Sequence, residues 1–489
     1  MDTLLSSILP VLHGGLGNLA AYLAAHVLLC LLPAFFIAGA MAALIPKETV
    51  TRFLGRNSSK VVSYPAAAAA GSLLAVCSCT IVPLFAGIHK KGAGLGPAIT
   101  FLFFAPAANI LALVYTGGVI GPDLAIARFV LSLVFGIGIG LIMALLFRAD
   151  DAAHDQATDS AFGAAGVQGM GRAARLFLLV WIALLLAGTL KLGVLTGSWL
   201  QFELPVPAAQ AWQAGLDQLV PFDAAKGEEG VSVQGVLLIG LLVAIGVSAW
   251  RGIENIQNGA NRWTGVSLVL IALTLLLAAL SIQATPAGLR VGFTGKFVGV
   301  ALALAALWRI ARRHMSADDL DAWLWESWRF VKQIFPLLVM GVFVVGMIRV
   351  VLRPEWIESL AGANTVLGNL AGVAFGVFMY FPTLVEVPIA RMFLDLGMHR
   401  GPLLAYLMAD PELSLQSILI ISAIIGRRKA WTYVALVALF STVAGLTYGA
   451  WMDGSSLLSL ALGLAGFIAV LAALLSLAGR HRPVSSKGV

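Results

Sequence analysis

Two of the three cysteines, Cys77 and Cys79, stand one residue apart in "GSLLAVCSCTIVPLFAGIHKKGAGLGP", residues 71–97. Thiolate is a soft ligand and selects copper(I), zinc or trivalent arsenic over magnesium and calcium. Cys-x-Cys neighbours rarely meet the Cα spacing and Cβ directions of a disulfide, so both read as free thiols. Pro83 follows at once, and a proline inside a helix frees a carbonyl by removing its donor. Two thiols beside an opened backbone could capture a soft metal or metalloid. Cys30 is a candidate third ligand, against the plain reading of a small buried hydrophobe.

A second set of residues carries charge into apolar surroundings. Glu386 lies within "FPTLVEVPIAR", and an ionisable group at membrane depth is a functional candidate because its desolvation is costly. It could take up a proton and couple transport to a gradient, or form a structural pair with Arg391 or a neighbouring lysine. Asp410, a further proton-coupling candidate, and Glu412 flank Pro411; Asp410 could instead cap the half-helix that follows. The expected helix breaks are Pro83, Pro106, Pro382, Pro388 and Pro411. Asn109, just past Pro106, either coordinates substrate or satisfies freed carbonyls. Thr80, Asn109 and Tyr380 join Cys77 and Cys79 as candidate substrate-binding residues. Arg128 and Lys191 are expected to snorkel, His26 to be a core histidine or a proton relay, and His89-Lys90-Lys91 and His399-Arg400 to be solvated loop ends.

The elements that hold these residues are dictated by composition. Of 489 residues 60% are hydrophobic and 11% charged, where soluble domains carry about 25% charged residues. Mean hydropathy is +0.94. Apolar runs of about 20 residues recur, each able to cross about 30 Å of hydrocarbon as a helix. Continuous runs such as "FLLVWIALLLAGTLKLGVL" exclude the alternating pattern of a barrel. The fold class is therefore all-α, a polytopic membrane helical bundle, with about thirteen segments expected, among them 20–46, 61–88, 96–118, 120–147, 366–393 and 401–425. The net charge of +7 falls in loops between the runs, which assigns it to topology rather than to nucleic acid. The first residues lack a positive region and a cleavage site, so no removable signal peptide is expected. No phosphate-binding loop, zinc-protease motif or serine-nucleophile motif is present. No enzyme activity and no cofactor are therefore expected.

Gly71, Pro83, Gly92, Gly96, Pro97, Pro106 and Gly121 recur without gaps as Gly376, Pro388, Gly397, Gly401, Pro402, Pro411 and Gly426, each pair 305 residues apart (388 − 83). Upstream, Glu48, Gly55 and Asn57 match Glu355, Gly362 and Asn364 at an offset of 307. Glycine and proline in register are informative because each fixes special backbone geometry. The chain thus divides into two homologous four-segment repeats with broken helices, 20–148 and 331–450, a polar linker plus four-helix insert with an extramembrane loop at 149–330, and a last helix with a basic tail at 451–489. Interrupted segments in internal repeats point to a midplane site of a transporter. Eight segments between repeat starts imply a parallel arrangement; a re-entrant hairpin would make it inverted. Within the insert, 149–171 reads as a linker and 198–231 as an extramembrane cap. "SADDLDAWLWESW" begins with capping-box spacing at Ser316 and Asp319 and reads as a helix at headgroup level.

"CSCTIVPLFAGIHKKGAGLGPAITFLFFAPAANILAL" and "FPTLVEVP" resemble the predicted-permease family that includes the ArsP-type organoarsenical efflux permeases and relatives implicated in copper and zinc efflux. The resemblance implies export of trivalent methylated arsenic, such as methylarsenite, across a bacterial inner membrane, with Cys77 and Cys79 as thiol ligands. A methylated trivalent arsenic has two exchangeable positions, which suits two thiols. The expected partners are a small thiophilic substrate and the lipid bilayer. Copper or zinc efflux is the alternative within transport, and a membrane thiol oxidoreductase is the alternative outside it.

Overall fold

The computed structural model describes the chain except for residues 1, 26–28, 30, 57, 74–77, 163–170, 190–192, 221, 223–229, 352–354, 379–382 and 481–489. His26, Cys30, Cys77, Lys191, Tyr380 and Pro382 lie outside the described residues, as does the side chain of Cys79. The architecture is a helical membrane bundle. Five described helices are long and apolar enough to cross a membrane, or six if one bent pair is a single span. Several of the thirteen expected segments resolve instead into pairs of shorter helices.

The first part of the chain comprises α1 (Asp2–Ala25), α2 (Leu32–Leu44), α3 (Lys47–Leu54), α4 (Lys60–Leu73), α5 (Ser78–Lys90), α6 (Leu95–Ala107), α7 (Ile110–Val119) and α8 (Pro122–Leu146). The expected span 61–88 is a hairpin, α4 and α5. Gly55, ahead of α4, bridges to Ala93 just past α5, and the Gly94 N–H donates to Leu54 O at 2.7 Å. The entry and the exit of the hairpin therefore share one level. A 14-residue helix is about 21 Å long, short of the roughly 30 Å needed to cross. α6 and α7 together give a 25-residue span. α6 runs parallel to α4, since Gly96 abuts Tyr64 and Gly71 abuts Ala105. α8 returns antiparallel, with Thr100 donating to Gly136 O at 3.1 Å.

The insert holds α9 (Arg148–Phe162), α10 (Arg172–Thr189), α11 (Gly193–Thr196), β1 (Ser198–Leu204), α12 (Ala209–Leu219), α13 (Val233–Arg251), α14 (Arg262–Ala278), β2 (Leu280–Thr285), β3 (Gly288–Thr294) and α15 (Gly295–His314). Two expectations change here. The 149–171 linker is helical over α9, where the Asp151 carboxylate accepts the Leu95 N–H at 2.9 Å and so ties down the start of α6. Burial pushes that carboxyl above the ordinary range, although the Leu95 amide opposes the shift. The bundle also carries a three-stranded antiparallel sheet in the order β1-β3-β2. The tight β2–β3 turn at Pro286 and Ala287, with Gly288 at φ +139°, makes it.

The last part comprises α16 (Ala317–Val351), α17 (Glu355–Ala361), α18 (Val366–Phe378), α19 (Thr383–Asp395), α20 (Arg400–Leu413), α21 (Leu415–Ile425), α22 (Arg427–Met452) and α23 (Leu457–Arg480). Ser316 caps α16 as the spacing predicts, accepting the Asp319 N–H at 3.1 Å. One of the tryptophans faces the bundle interior. Trp323 is 6% exposed, donates to Phe36 O at 2.9 Å and stacks among Phe36, Phe177 and Trp181. The starts of α19, α20, α21 and α22 each fall 305 residues after those of α5, α6, α7 and α8 (383 − 78). Positive φ recurs at Gly92 and Gly397, and at Gly121 and Gly426. The second hairpin closes as the first does, the His399 N–H donating to Ala361 O at 2.9 Å.

Matching helices run in opposite directions. Asp123, at the α7–α8 turn, pairs with Arg400 at the start of α20 and accepts from Tyr448 near the end of α22 at 2.7 Å. Lys429, at the start of α22, reaches Asp150, just past α8, at 3.4 Å. α8 and α22 are thus antiparallel. So are α1–α2 and α16: Asn18 donates to Val342 O, and Trp323 to Phe36 O, each at 2.9 Å. This antiparallel arrangement is what the inverted alternative expects. It also gathers Lys90, Arg148 and the Arg427–Lys429 cluster at one end of the bundle, which the parallel alternative would have separated.

Close backbone contact holds each set of helices together. A Cβ on Gly140 would lie 2.6 Å from Gly96 O, and one on Gly445 would lie 2.6 Å from Gly401 O. Gly140→Val and Gly445→Val are each expected to cost about 1–3 kcal/mol by overpacking. Thermal unfolding in detergent would measure this, with Gly240→Val, where nothing lies within 4 Å, as the unaffected control.

Candidate functional site

Both α6–α7 and α20–α21 are interrupted near a proline. Pro106 and Pro411 have no N–H to donate, so each loosens the ladder one turn before its helix ends. Ala108 leaves helical geometry at φ −139°, ψ 37°. Asn109 then caps α7, accepting the Ala112 N–H at 2.8 Å and donating to Pro106 O at 3.4 Å. Ser72 donates to Ala108 O at 3.4 Å. Asn109 thus satisfies a freed carbonyl at the break, one of its two expected roles. The second break bends α20 against α21 by 47°, and Ser414 opens α21 with its hydroxyl on Ser417 Oγ at 2.7 Å.

The opened carbonyl of Ala107 is taken by Arg128, whose Nε donates to it at 2.7 Å. Arg128 does not snorkel. Its side chain is 0% exposed and its Nη2 lies 2.6 Å from Glu386 Oε1, also 0% exposed. The guanidinium thus joins α8, the α6–α7 break and α19 at one point, linking the two halves. Arg391, the partner considered for Glu386, pairs instead with Asp395 on the surface at 3.1 Å.

The second half presents the counterpart. Tyr433 stands 305 residues after Arg128, and Glu412 305 after Ala107 (433 − 128, 412 − 107). The Tyr433 hydroxyl donates to Glu412 Oε2 at 2.6 Å. The same reach from one helix to the end of another is made in both halves, to a main-chain carbonyl in one and to a carboxylate in the other. Glu412 and Glu386 are near enough to influence each other electrostatically, and Glu412 Oε1 has no hydrogen-bond partner among the described residues. Asp410 is wholly buried inside α20, against Gly376 of α18. It does not cap α21; Ser414 holds that position.

On the thiol side, α5 begins at Ser78, and Thr80 and Ile81 are wholly buried. Ile81 occupies the position matching Glu386. Pro83 withholds the amide that Cys79 O would accept in an unbroken helix, and Pro388 does the same for Leu384. α5 packs on α2 and α21, and α19 on α7 and α20. Cys79 therefore stands in the first turn of a helix that packs on α21, past the second break, while Glu386 sits at the first. Among the described residues no group of three or more His, Cys, Asp and Glu side chains could hold a metal ion. The role of Arg128, the hydroxyl of Tyr433 and the depth of Glu412 were missed from sequence. The 305-residue register, applied to polar residues as well as to Gly and Pro, aligns them.

The profile of the predicted-permease family of ArsP type matches residues 13–450. The chain belongs to that family. Among the permease's relatives, UPF0718 protein MJ0584 of Methanocaldococcus jannaschii is 31% identical over 451 residues, covering 92% of this chain and 98% of its own. UPF0718 protein YraQ of Escherichia coli is 28% identical over 123 residues, 25% of this chain and 35% of its own. No solved structure matches the permease. Family and apolar helices together make it a multi-pass membrane protein and a transporter by class.

Removing one partner of the buried pair leaves the other charge uncompensated. Glu386→Gln and Arg128→Met are each expected to cost about 3–5 kcal/mol, while replacing both by methionine recovers most of the loss. Thermal unfolding of the four purified proteins would check this. A double variant as unstable as the singles would show that the two side chains do not act as a pair.

Proposed function

We propose that the permease is a secondary efflux carrier for trivalent organoarsenicals of the methylarsenite type, with Cys77 and Cys79 as the arsenic ligands. The observation that carries this reading is the Cys-Ser-Cys-Thr sequence ahead of Pro83 in a permease-family chain, with Ser78 as the first residue of α5. Soft thiols suit a soft centre. Methylarsenite has two hydroxyls; each leaves as water with a thiol proton as an As–S bond forms, and hydrolysis at the exit reverses both steps. Thr80, Asn109 and Tyr380 complete the binding set. The residues 20–148 and 331–450 serve as homologous inverted repeats that rock about the site, and 149–330 as an accessory insert.

Coupling to protons runs through a buried carboxyl group of this region, for which Glu386 and Asp410 are the candidates read from the sequence. The end carrying Lys90, Arg148 and the Arg427–Lys429 cluster faces the cytoplasm by the positive-inside tendency, which puts the three-stranded sheet outside. The chain sits in a bacterial inner membrane and acts as a carrier rather than an enzyme.

Everted vesicles from a sensitive bacterial host provide the test. Wild-type protein is expected to accumulate methylarsenite, whereas Cys77→Ser and Cys79→Ser lose accumulation at least tenfold at equal membrane abundance. Unchanged uptake in both variants would refute the thiol role. Running arsenite, copper(I) and zinc beside methylarsenite identifies the cargo directly.

A further inference from the structure

We propose that Glu412, hydrogen-bonded by Tyr433, is the proton-binding site of the permease, and that Glu386 is not, because Arg128 holds it as a carboxylate. The inference deepens the transport reading above by naming the group that carries its coupling proton. It stands on a mismatch of buried charges. Arg128, Glu386 and Glu412 are at most 2% exposed, and a buried charge is tolerable only when paired. One guanidinium serves this cluster, and it contacts Glu386 at 2.6 Å. Its Nε is spent on Ala107 O, and its Nη1 lies 3.3 Å from Thr116 Oγ1. Glu412 has a neutral phenol on Oε2 at 2.6 Å and no hydrogen-bond partner on Oε1 among the described residues. A proton on Oε1 removes the uncompensated charge and leaves Oε2 as the acceptor that Tyr433 already uses.

Among the described residues, no further positive charge is recorded at Glu412. α20 packs against α6, α8, α18, α19, α21 and α22. From these the titratable or charged groups at Glu412 are Tyr433 on α22 and Glu386 on α19, with Arg128 of α8 behind Glu386. Asp410 lies two residues earlier on α20 itself. α6, α18 and α21 contain no titratable residue. Departure of the proton leaves two carboxylates for one guanidinium, a change that pulls on α8, α19 and α20 together. The site is particular to the second half, because its first-half counterpart at Ala107 is a peptide carbonyl that cannot titrate.

Infrared difference spectroscopy of the purified full-length protein at neutral pH tests the assignment without any substrate. Wild-type protein is expected to show a protonated-carboxyl C=O band that Glu412→Gln abolishes, Glu386→Gln retains and Tyr433→Phe moves to higher frequency by deleting the hydrogen bond. Glu412→Gln, which mimics the protonated acid, should keep the wild-type unfolding temperature, whereas Glu386→Gln should lower it. A band that survives Glu412→Gln, or one that Tyr433→Phe does not move, overturns the proposal. The Tyr433→Phe shift decides alone if Glu412→Gln does not fold. In proteoliposomes, Glu412→Gln should also lose at least tenfold of the stimulation of methylarsenite transport by a proton gradient. If wild-type protein moves no methylarsenite yet the infrared pattern holds, the arsenical reading fails and the proton site stands.

Discussion

Charged side chains lie buried at the centre of this bundle, and burial demands a partner for each charge. Arg128 is where that demand is strongest. A guanidinium offers five donors in a planar fork, and this one spends them on the carbonyl released at one helix break, on a threonine of the helix after it and on a carboxylate of the opposite half. The break in α6–α7 persists because Arg128, Asn109 and Ser72 take up its loose ends. The two halves are joined at depth by a charge contact rather than by apolar packing alone. An irregular backbone at membrane depth survives only with such cover.

The hairpins follow from a related limit. Neither α4 nor α5 is long enough to cross, so the chain enters and returns, and the base of each hairpin closes with main-chain hydrogen bonds. Glycines at 96, 140, 401 and 445 let α6 and α20 touch their neighbours backbone to backbone, which packs helices closely where no hydrophobic force distinguishes protein from lipid tails.

The pairing of Asp123 with Arg400 and Tyr448 at one end, and of Lys429 with Asp150 at the other, shows why direction matters. Equivalent helices lie antiparallel, so each half offers its turn to the hairpin base of the other. The inversion also explains the charge distribution. Basic clusters that seem misplaced when the segments are counted as full crossings fall at one end once two of those segments turn back.

Much of this was legible in the residues. The membrane class follows from composition, because 60% hydrophobic content cannot be hidden inside a soluble domain of this size. Helix breaks at Pro106 and Pro411, the paired glycine turns and the depth of Glu386 follow from local rules, since proline lacks a donor and glycine adopts positive φ most readily. The partner of Glu386 did not follow. Arg128 lies more than 250 residues away, and an arginine near a helix start reads as snorkelling until the fold buries it. A hairpin was legible only as an alternative, and its place at 61–88 was not, for the same kind of reason: an apolar run of adequate length crosses or returns according to what its ends bind, and those bonds are tertiary. Thus local chemistry set the places where the backbone opens and the charges available to it. Only the packing of the two halves decided which charges meet, because electrostatic partners inside a membrane are chosen by proximity in space.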